Sequence, residues 1–325
     1  MQLCYLTAFY LAAVGAARPS WAGFASAGRL LLSIALYGSW GVVLNDYVDR
    51  DLDAAAGKRT GIEDVPTWQV ALLLALLPAI GFLLVPNPFS RPLAPILLAS
   101  CYVLALAYSA PAGHRLKEKG IWGFAADVIL EKSLPSLVLF ASFDYLGVDA
   151  VIVAAFGASI GAFTLALHQV QDYESDLKEG VRTWAVNAGK EQVIRVYRRL
   201  FLPFFFASAA LVFAMVIART TAEGLVLLAI FILGGVLLAA MASRGLVARY
   251  DPGRWRGLAA PGAGLEVWYV FTFFASPVPA ILGFSVVLRA PIFVPILAAV
   301  LLSQLTLFLG QYRWAIGKLA LAIRR

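Results

Sequence analysis

The chain is divided into apolar blocks of about 16 to 25 residues, near 2–17, 26–44, 67–86, 93–110, 121–142, 148–168, 199–218, 223–243, 263–288 and 291–312, with charged or Pro/Gly-containing breaks between them. An α-helix needs roughly 20 residues to cross a hydrocarbon core about 30 Å thick. Because lipid offers no hydrogen bonds, a spanning segment must satisfy its own backbone, so the blocks predict helices. The expected fold class is all-α: a polytopic transmembrane helical bundle of nine to ten helices. Composition agrees, since 61% of the 325 residues are hydrophobic, 14% are charged and the mean hydropathy is +0.82. A soluble domain of this size cannot bury that much apolar surface, which excludes an ordinary water-soluble enzyme.

Charge orients the bundle. With the N-terminus on the cytoplasmic side, the even-numbered loops and the C-terminus carry twenty of the 26 Lys and Arg residues, and the opposite side carries Arg18, Arg29, Arg91, Arg219 and Arg289. Lys132, inside a span, completes the set. This positive-inside bias accounts for the net charge of +7 better than nucleic acid does, because no basic run is interleaved with aromatics outside the apolar blocks. The expected location is a cell (inner) membrane, with membrane lipid as a partner and no nucleic acid.

Cys4 and Cys101 both lie in apolar blocks, lack metal-ligand spacing and read as small core residues. Met1 to Cys4 has no basic stretch, and the segment around Pro19 to Ala22 is a poor cleavage site, so the first block reads as a span and not a removable signal. That block begins almost at the initiator Met, which implies an upstream start or an abbreviated first helix.

Two acidic segments after spans 2 and 6 are copies of each other. Residues 45–60 and 168–183 align at an offset of 123, and Asp49, Asp53, Gly57, Arg59 and Thr60 superpose on Asp172, Asp176, Gly180, Arg182 and Thr183. Five identities at matched spacing indicate an internal duplication, with halves near 26–142 and 148–243, inside a single domain spanning 1–325. On a helix, Asn45, Asp49 and Asp53 fall at i, i+4 and i+8 and project from one stripe, and His168, Asp172 and Asp176 repeat it.

Clustered carboxylates repel unless something positive lies between them, and hard oxygen donors favour Mg²⁺. Mg²⁺ commonly takes one or two carboxylates plus phosphate oxygens. The Gly-x-Arg-Thr element then supplies a phosphate donor, Arg59 or Arg182, one to two turns beyond the acids. Gln169 stands where the first copy has Asp46, which implies unequal metal sites, while His168 reads as a ligand or as an interfacial hydrogen-bonding residue.

Other ionisable groups lie within spans. Asp127 and Glu131 share a face of span 5 beside Lys132, at a depth where charge is costly unless it lines a cavity or is paired. Glu131 is a candidate general base toward an acceptor. Glu266, early in span 9, reads as structural. Trp68, Trp122, Trp184 and Trp255 sit at span ends and read as an interfacial belt. Phe204 to Phe206 are candidates for carbocation shielding, with packing as the plainer reading. Pro277 and Pro279 should kink span 9.

At these residues the sequence resembles the UbiA superfamily of intramembrane prenyltransferases. Asn45-Asp46-x-x-Asp49-x-x-x-Asp53 completes that family's first aspartate-rich motif, and Asp172-x-x-x-Asp176 stands as the second. Tyr108-Ser109-Ala110-Pro111 with Arg115-Leu116-Lys117 looks like its Tyr-Ser-x-Pro…Leu-Lys loop. The likeness covers roughly residues 26 to 245. It implies Mg²⁺-dependent transfer of a prenyl group from a prenyl diphosphate donor to a hydrophobic acceptor.

By the same resemblance, Asn45, Asp49, Asp53, Asp172 and Asp176 are metal positions, and Tyr108 and Lys117 contact diphosphate and cover the site. Arg59, Arg115 and Arg182 join Lys117 as diphosphate-binding candidates, and Lys117, Tyr108 and Glu131 are the catalytic candidates. The chain departs from the family in lacking basic residues ahead of the first helix, in Gln169, and in a tenth block beyond the usual nine helices. Local patterns point both to quinone-precursor acceptors and to chlorophyllide, glycerol phosphate or isoprenoid ones, with an aromatic quinone precursor favoured. A cation transporter is the rival from another class, favoured by the repeats but predicting mid-bilayer charge over interfacial acids.

Overall fold

The computed structural model describes residues 4, 7–8, 10–15, 19–55, 61–109, 115–243, 284, 286–288, 290–299 and 301–302. Among these residues every regular element is helical. The main helices are α1 (Trp21–Ala55), α2 (Thr67–Leu83), α3 (Leu93–Ser109), α4 (Ile121–Val128), α5 (Leu134–Ser142), α6 (Val148–Glu179), α7 (Trp184–Ala188), α8 (Lys190–Val196) and α9 (Leu202–Ser243). π-helical turns at Ile129–Ser133 and Tyr197–Phe201 join α4 to α5 and α8 to α9, and a further one covers Leu11–Gly15. Trp21–Asp51, Val148–Lys178 and Lys190–Ala218 are each long and apolar enough to cross a membrane, and α2 and α3 are shorter apolar helices. The protein is an all-α integral membrane protein.

The chain falls into two compact units, one of Met1–Leu11 with Trp21–Val212 and one of Ala12–Ser20 with Phe213–Arg325. Within the second, the rings of Phe213 and Phe231 lie 4.7 Å apart. In a straight helix those positions would be separated by about 27 Å. The chain therefore doubles back between them, in keeping with separate spans at 199–218 and 223–243. Of the last two blocks only 284, 286–288, 290–299 and 301–302 are described. Trp255, Glu266, Pro277 and Pro279 lie outside the described residues.

Two proline-freed carbonyls organise the core of the first unit. Pro78 lies inside α2 and cannot donate to Leu74 O, and the indole Nε1 of Trp40 on α1 donates to that oxygen instead, at 2.9 Å. In the turn Ile129–Ser133, Leu134 N bonds back to Ile129 O, the i→i+5 register of a π-helix. The next donor in that register would be residue 135, which is proline. Leu130 O accepts instead from the Tyr37 hydroxyl at 3.3 Å. Both cross-links come from α1, and the edge-on contacts of Tyr37 and Trp40 with Tyr102 of α3, at 5.3 and 5.0 Å, complete this core.

The acidic segments are continuations of their helices, not loops. α1 runs on to Ala55 and α6 to Glu179, each about three turns past its apolar block. Hydropathy marks where lipid ends, whereas no Gly or Pro interrupts either helix between Gly41 and Gly57 or between Gly161 and Gly180. The two long helices end at nearly corresponding positions of the repeat.

Other sequence readings are refined by packing. Trp184 is buried, with ring contacts to Phe124 at 4.6 Å and Phe201 at 6.0 Å, so it belongs to an aromatic cluster and not to an interfacial belt. Trp68 and Trp122 are exposed, as a belt requires. Phe205 packs on Phe156 and Phe163, which answers for the Phe204–Phe206 run at its centre. Cys4 and Cys101 are buried free thiols.

Candidate active site

The last three turns of α1 carry the first acidic motif, and a single turn of 3₁₀-helix, Leu116–Glu118, brings the cations to it. Arg115 Nη1 lies 2.8 Å from Asp49 Oδ1, and Lys117 Nζ lies 2.5 Å from Asp49 Oδ2. The same ammonium donates to Asn45 Oδ1 at 3.3 Å. Lys117 thus stands between two oxygen donors of the motif, where a positive charge is most stabilised. Arg115 is 3% exposed and Asp49 8%, so each needs the other. Asp49 Oδ1 nevertheless receives no hydrogen bond of good geometry. Asp53 is on the same helix, and its side chain lies outside the described residues.

Gly123 makes this approach possible. A Cβ there would lie 2.3 Å from Leu116 O and 2.8 Å from Lys117 Cα, so the cation-bearing turn can rest on α4 only if residue 123 has no side chain. Sequence reasoning passed over this residue. Its one signal is a glycine inside an apolar helical block.

The second motif has different surroundings. The Asp172 side chain is 48% exposed, and His168 Nδ1 lies 3.3 Å from its Oδ2. Thr183 donates to Asp176 Oδ2 at 3.2 Å and accepts from Val186 N at 3.4 Å, capping α7. Gln169 is buried and accepts from Ala185 N at 3.2 Å. It holds α7 against α6, which gives a glutamine at this position a packing role. Arg182 is exposed, while Arg59 and Pro111 lie outside the described residues.

Tyr108 is half-buried at the end of α3. It shares a cavity lining with Asp46 of the first motif and with Asp127 and Glu131 of span 5. Among the described residues, no three His, Cys, Asp or Glu side chains are grouped closely enough to hold a metal ion by themselves. Beside Tyr108, Asn45 and Asp46 is a cavity of about 490 Å³ whose lining also includes Asp127, Glu131 and Lys132. Asp127 and Glu131 therefore do share a face, and Lys132 pairs with Glu131.

The sequence profile of the UbiA prenyltransferase family matches residues 4–260. The chain belongs to the UbiA prenyltransferase family. Its fold resembles that of a UbiA homolog from Archaeoglobus fulgidus bound to GPP and Mg²⁺, at 16% identity and a TM-score of 0.53, covering 88% of this chain and 95% of that one. The same homolog bound to DMAPP and Mg²⁺ gives 17% and 0.54 over 88% and 95%. The apo structure of a UbiA homolog from Aeropyrum pernix K1 gives 19% and 0.51, covering 89% of this chain and 97% of that one. At these identities the likenesses bear on the fold. No curated protein matches the sequence. As a UbiA prenyltransferase the chain is an enzyme, and its motif residues lie where two helices of the shared fold leave the apolar region.

Proposed function

We propose that this protein catalyses Mg²⁺-dependent transfer of a prenyl group from a prenyl diphosphate to a hydrophobic, aromatic acceptor resembling a quinone precursor, in the cell membrane with the site facing the cytoplasm. The observation that carries the reading is the Asn45–Lys117–Asp49 bridge at the edge of a cavity that the Tyr108 phenol also lines. A cation already sits between the oxygens of one motif.

The donor set fits Mg²⁺. Its atoms are hard oxygens, one of them buried and short of a well-aligned hydrogen bond, and Lys117 stands in for a cation. That no triad is preassembled among the described residues suits an ion that completes its shell with phosphate oxygens and water. Asn45, Asp49 and Asp53 would hold it on one side, and Asp172 and Asp176 on the other. When bound, Mg²⁺ supplies charge neutralisation of the leaving diphosphate.

The remaining steps belong to the protein's own groups. The C1–O bond of the donor breaks, its electron pair leaves on the diphosphate, and the developing charge is met by Lys117 and the Tyr108 hydroxyl, with Arg59 and Arg182 as further diphosphate-binding candidates. Buried Arg115 holds the Asp49 carboxylate in place. The apolar walls exclude water from the allylic cation, and the acceptor forms the new bond at C1.

Binding of a non-hydrolysable geranylgeranyl diphosphate analogue to detergent-purified protein tests the reading. Binding should require Mg²⁺ and vanish with EDTA. Equal binding with and without metal would overturn it.

A further inference from the structure

The π-helical turn Tyr197–Phe201 carries two arginines in succession on the outside of span 7, and the site described above uses neither. From Lys190 to Phe201 the chain has four basic residues against one acid, Glu191. Val193, Tyr197, Phe205 and Ala209 are buried and Phe201 is half-buried, so the inward positions recur every four residues. In a regular helix that spacing drifts by about 40° at each step, or about 160° over the run. The extra residue of the π-helical turn takes back about 100° of this and keeps the row against the protein. Arg195, Arg198, Arg199 and Leu200 are thereby turned outward, and all four are exposed.

The turn is held from behind. Phe201 stacks on Phe124 of α4 at 5.4 Å and lies 6.0 Å from Trp184, while Tyr197 lies 6.4 Å from Phe163 of α6. Leu202 N bonds to Tyr197 O, and the next donor in that register would be Pro203, so Arg198 O is left short of a helical donor and adds a polar group at this level. Further along α9 the outer surface becomes apolar, with Phe204, Phe206 and Leu211 exposed. Trp122, half a turn from Phe124 on α4, is exposed at the depth of the aromatic belt. The arginines therefore stand where a hydrocarbon-facing surface gives way to water, which is the depth of lipid phosphates.

No carboxylate neutralises them. Arg195 donates to Gln192 Oε1 at 3.2 Å. Among the described residues none of Arg195, Arg198 and Arg199 forms an ion pair. Three guanidiniums within two turns repel one another unless an anion lies among them, and each offers paired N–H donors that match phosphate oxygens. A soluble anion would answer the charge and leave the adjoining apolar surface unused. A phospholipid with a net negative headgroup answers both.

We propose that Arg195, Arg198 and Arg199 form a binding site for the headgroup of an anionic phospholipid, with its acyl chains lying along Phe204, Phe206 and Leu211. The rigid aromatic backing presents the guanidiniums already splayed outward, so little side-chain and backbone ordering remains when the lipid docks. The site goes beyond prenyl transfer and depends on no step of it. A basic group near an anionic lipid surface contributes about fivefold to the association, equivalent to ~1 kcal/mol.

The test is native mass spectrometry of the detergent-purified full-length protein, titrated separately with dioleoylphosphatidylglycerol and dioleoylphosphatidylcholine. The first phosphatidylglycerol should bind at least tenfold more tightly than phosphatidylcholine. Arg198→Gln/Arg199→Gln should weaken phosphatidylglycerol on the order of 10- to 30-fold, and adding Arg195→Gln should bring the two lipids within about threefold. If the multiple variants melt far below wild type, Arg198→Gln and Arg199→Gln alone should each cost about fivefold. Lys178→Gln, which removes an exposed charge away from the turn, should change the preference by less than twofold.

Equal binding of the two lipids, or a preference that survives loss of the arginines, would overturn the proposal. So would an equal loss in Lys178→Gln, which would mean diffuse attraction to a basic surface. Displacement of the bound phosphatidylglycerol by 10 mM inorganic phosphate would likewise overturn it and reassign the arginines to a soluble anion.

Discussion

The two acidic motifs are copies in sequence and sit at the ends of the two long helices α1 and α6, yet their surroundings differ. Asp49 is buried and gripped by Arg115 and Lys117. Asp172 is half-exposed beside His168, and Asp176 is held by a threonine hydroxyl. A duplicated helix reproduces its own side chains but not the partners that other elements bring. The first motif is charge-compensated before any ligand arrives, so a metal held there, as proposed, would have to displace an ammonium. In the second, the Asp172 side chain is 48% exposed and Asp176 accepts from the Thr183 hydroxyl.

This contrast can be broken most severely at Asp49. Asp49→Asn should lower turnover by at least ~10³-fold, and Asp49→Ala should in addition cost about 3–5 kcal/mol of stability by stranding the buried Arg115. Asp172→Ala should lose comparable turnover while melting like wild type, because Asp172 and its partner His168 are both largely exposed. Steady-state kinetics with thermal melts of both variants checks the pair of outcomes. Equal stability loss at the two positions would remove the distinction.

Lys117→Met sharpens the comparison at the next level. Donor affinity should fall on the order of 10- to 100-fold as a charge-assisted contact disappears. Metal alone should bind more tightly, since the competing ammonium is gone. Titration of Mn²⁺ in the absence of donor reads the second effect directly, and a merely structural lysine would not produce it.

Gly123→Ala should have a smaller effect, about tenfold on the donor KM with kcat changed less, because the turn bearing Lys117 must lift off α4. Thr183→Val touches the second motif and should remove a helix cap worth ~1 kcal/mol with a few-fold loss of Mg²⁺ affinity, seen in a melt and a metal titration. His168→Asn should stay within about twofold in every assay. A large effect there would assign the histidine to the site.

Much of this was legible in the sequence because it rests on short-range pattern. Block length predicts spans, a fixed offset exposes the duplication, and i, i+4 spacing puts acids on one stripe. The limits of α1 and α6 were missed because hydropathy reports lipid contact while helix continuation depends on the absence of breakers. Arg115 looked like a phosphate donor, and only the fold brings it 2.8 Å from Asp49 across 66 residues of chain. Gln169 looked like a degraded acid and Trp184 like a belt residue, since neither burial nor the partner helix is written locally. Gly123 was silent for the same reason. A close backbone approach is a property of two segments, and one of them says nothing about the other.

The central claim is that both motifs act on one donor diphosphate through shared metal. A double-mutant cycle on Mg²⁺-dependent binding of the geranylgeranyl diphosphate analogue, using Asp49→Asn, Asp172→Asn and the double variant, measures this most directly. Shared metal predicts strong non-additivity, the double variant binding little worse than either single one, with a coupling of at least about 1 kcal/mol. Additive losses would mean that the two motifs act independently, and would contradict the account.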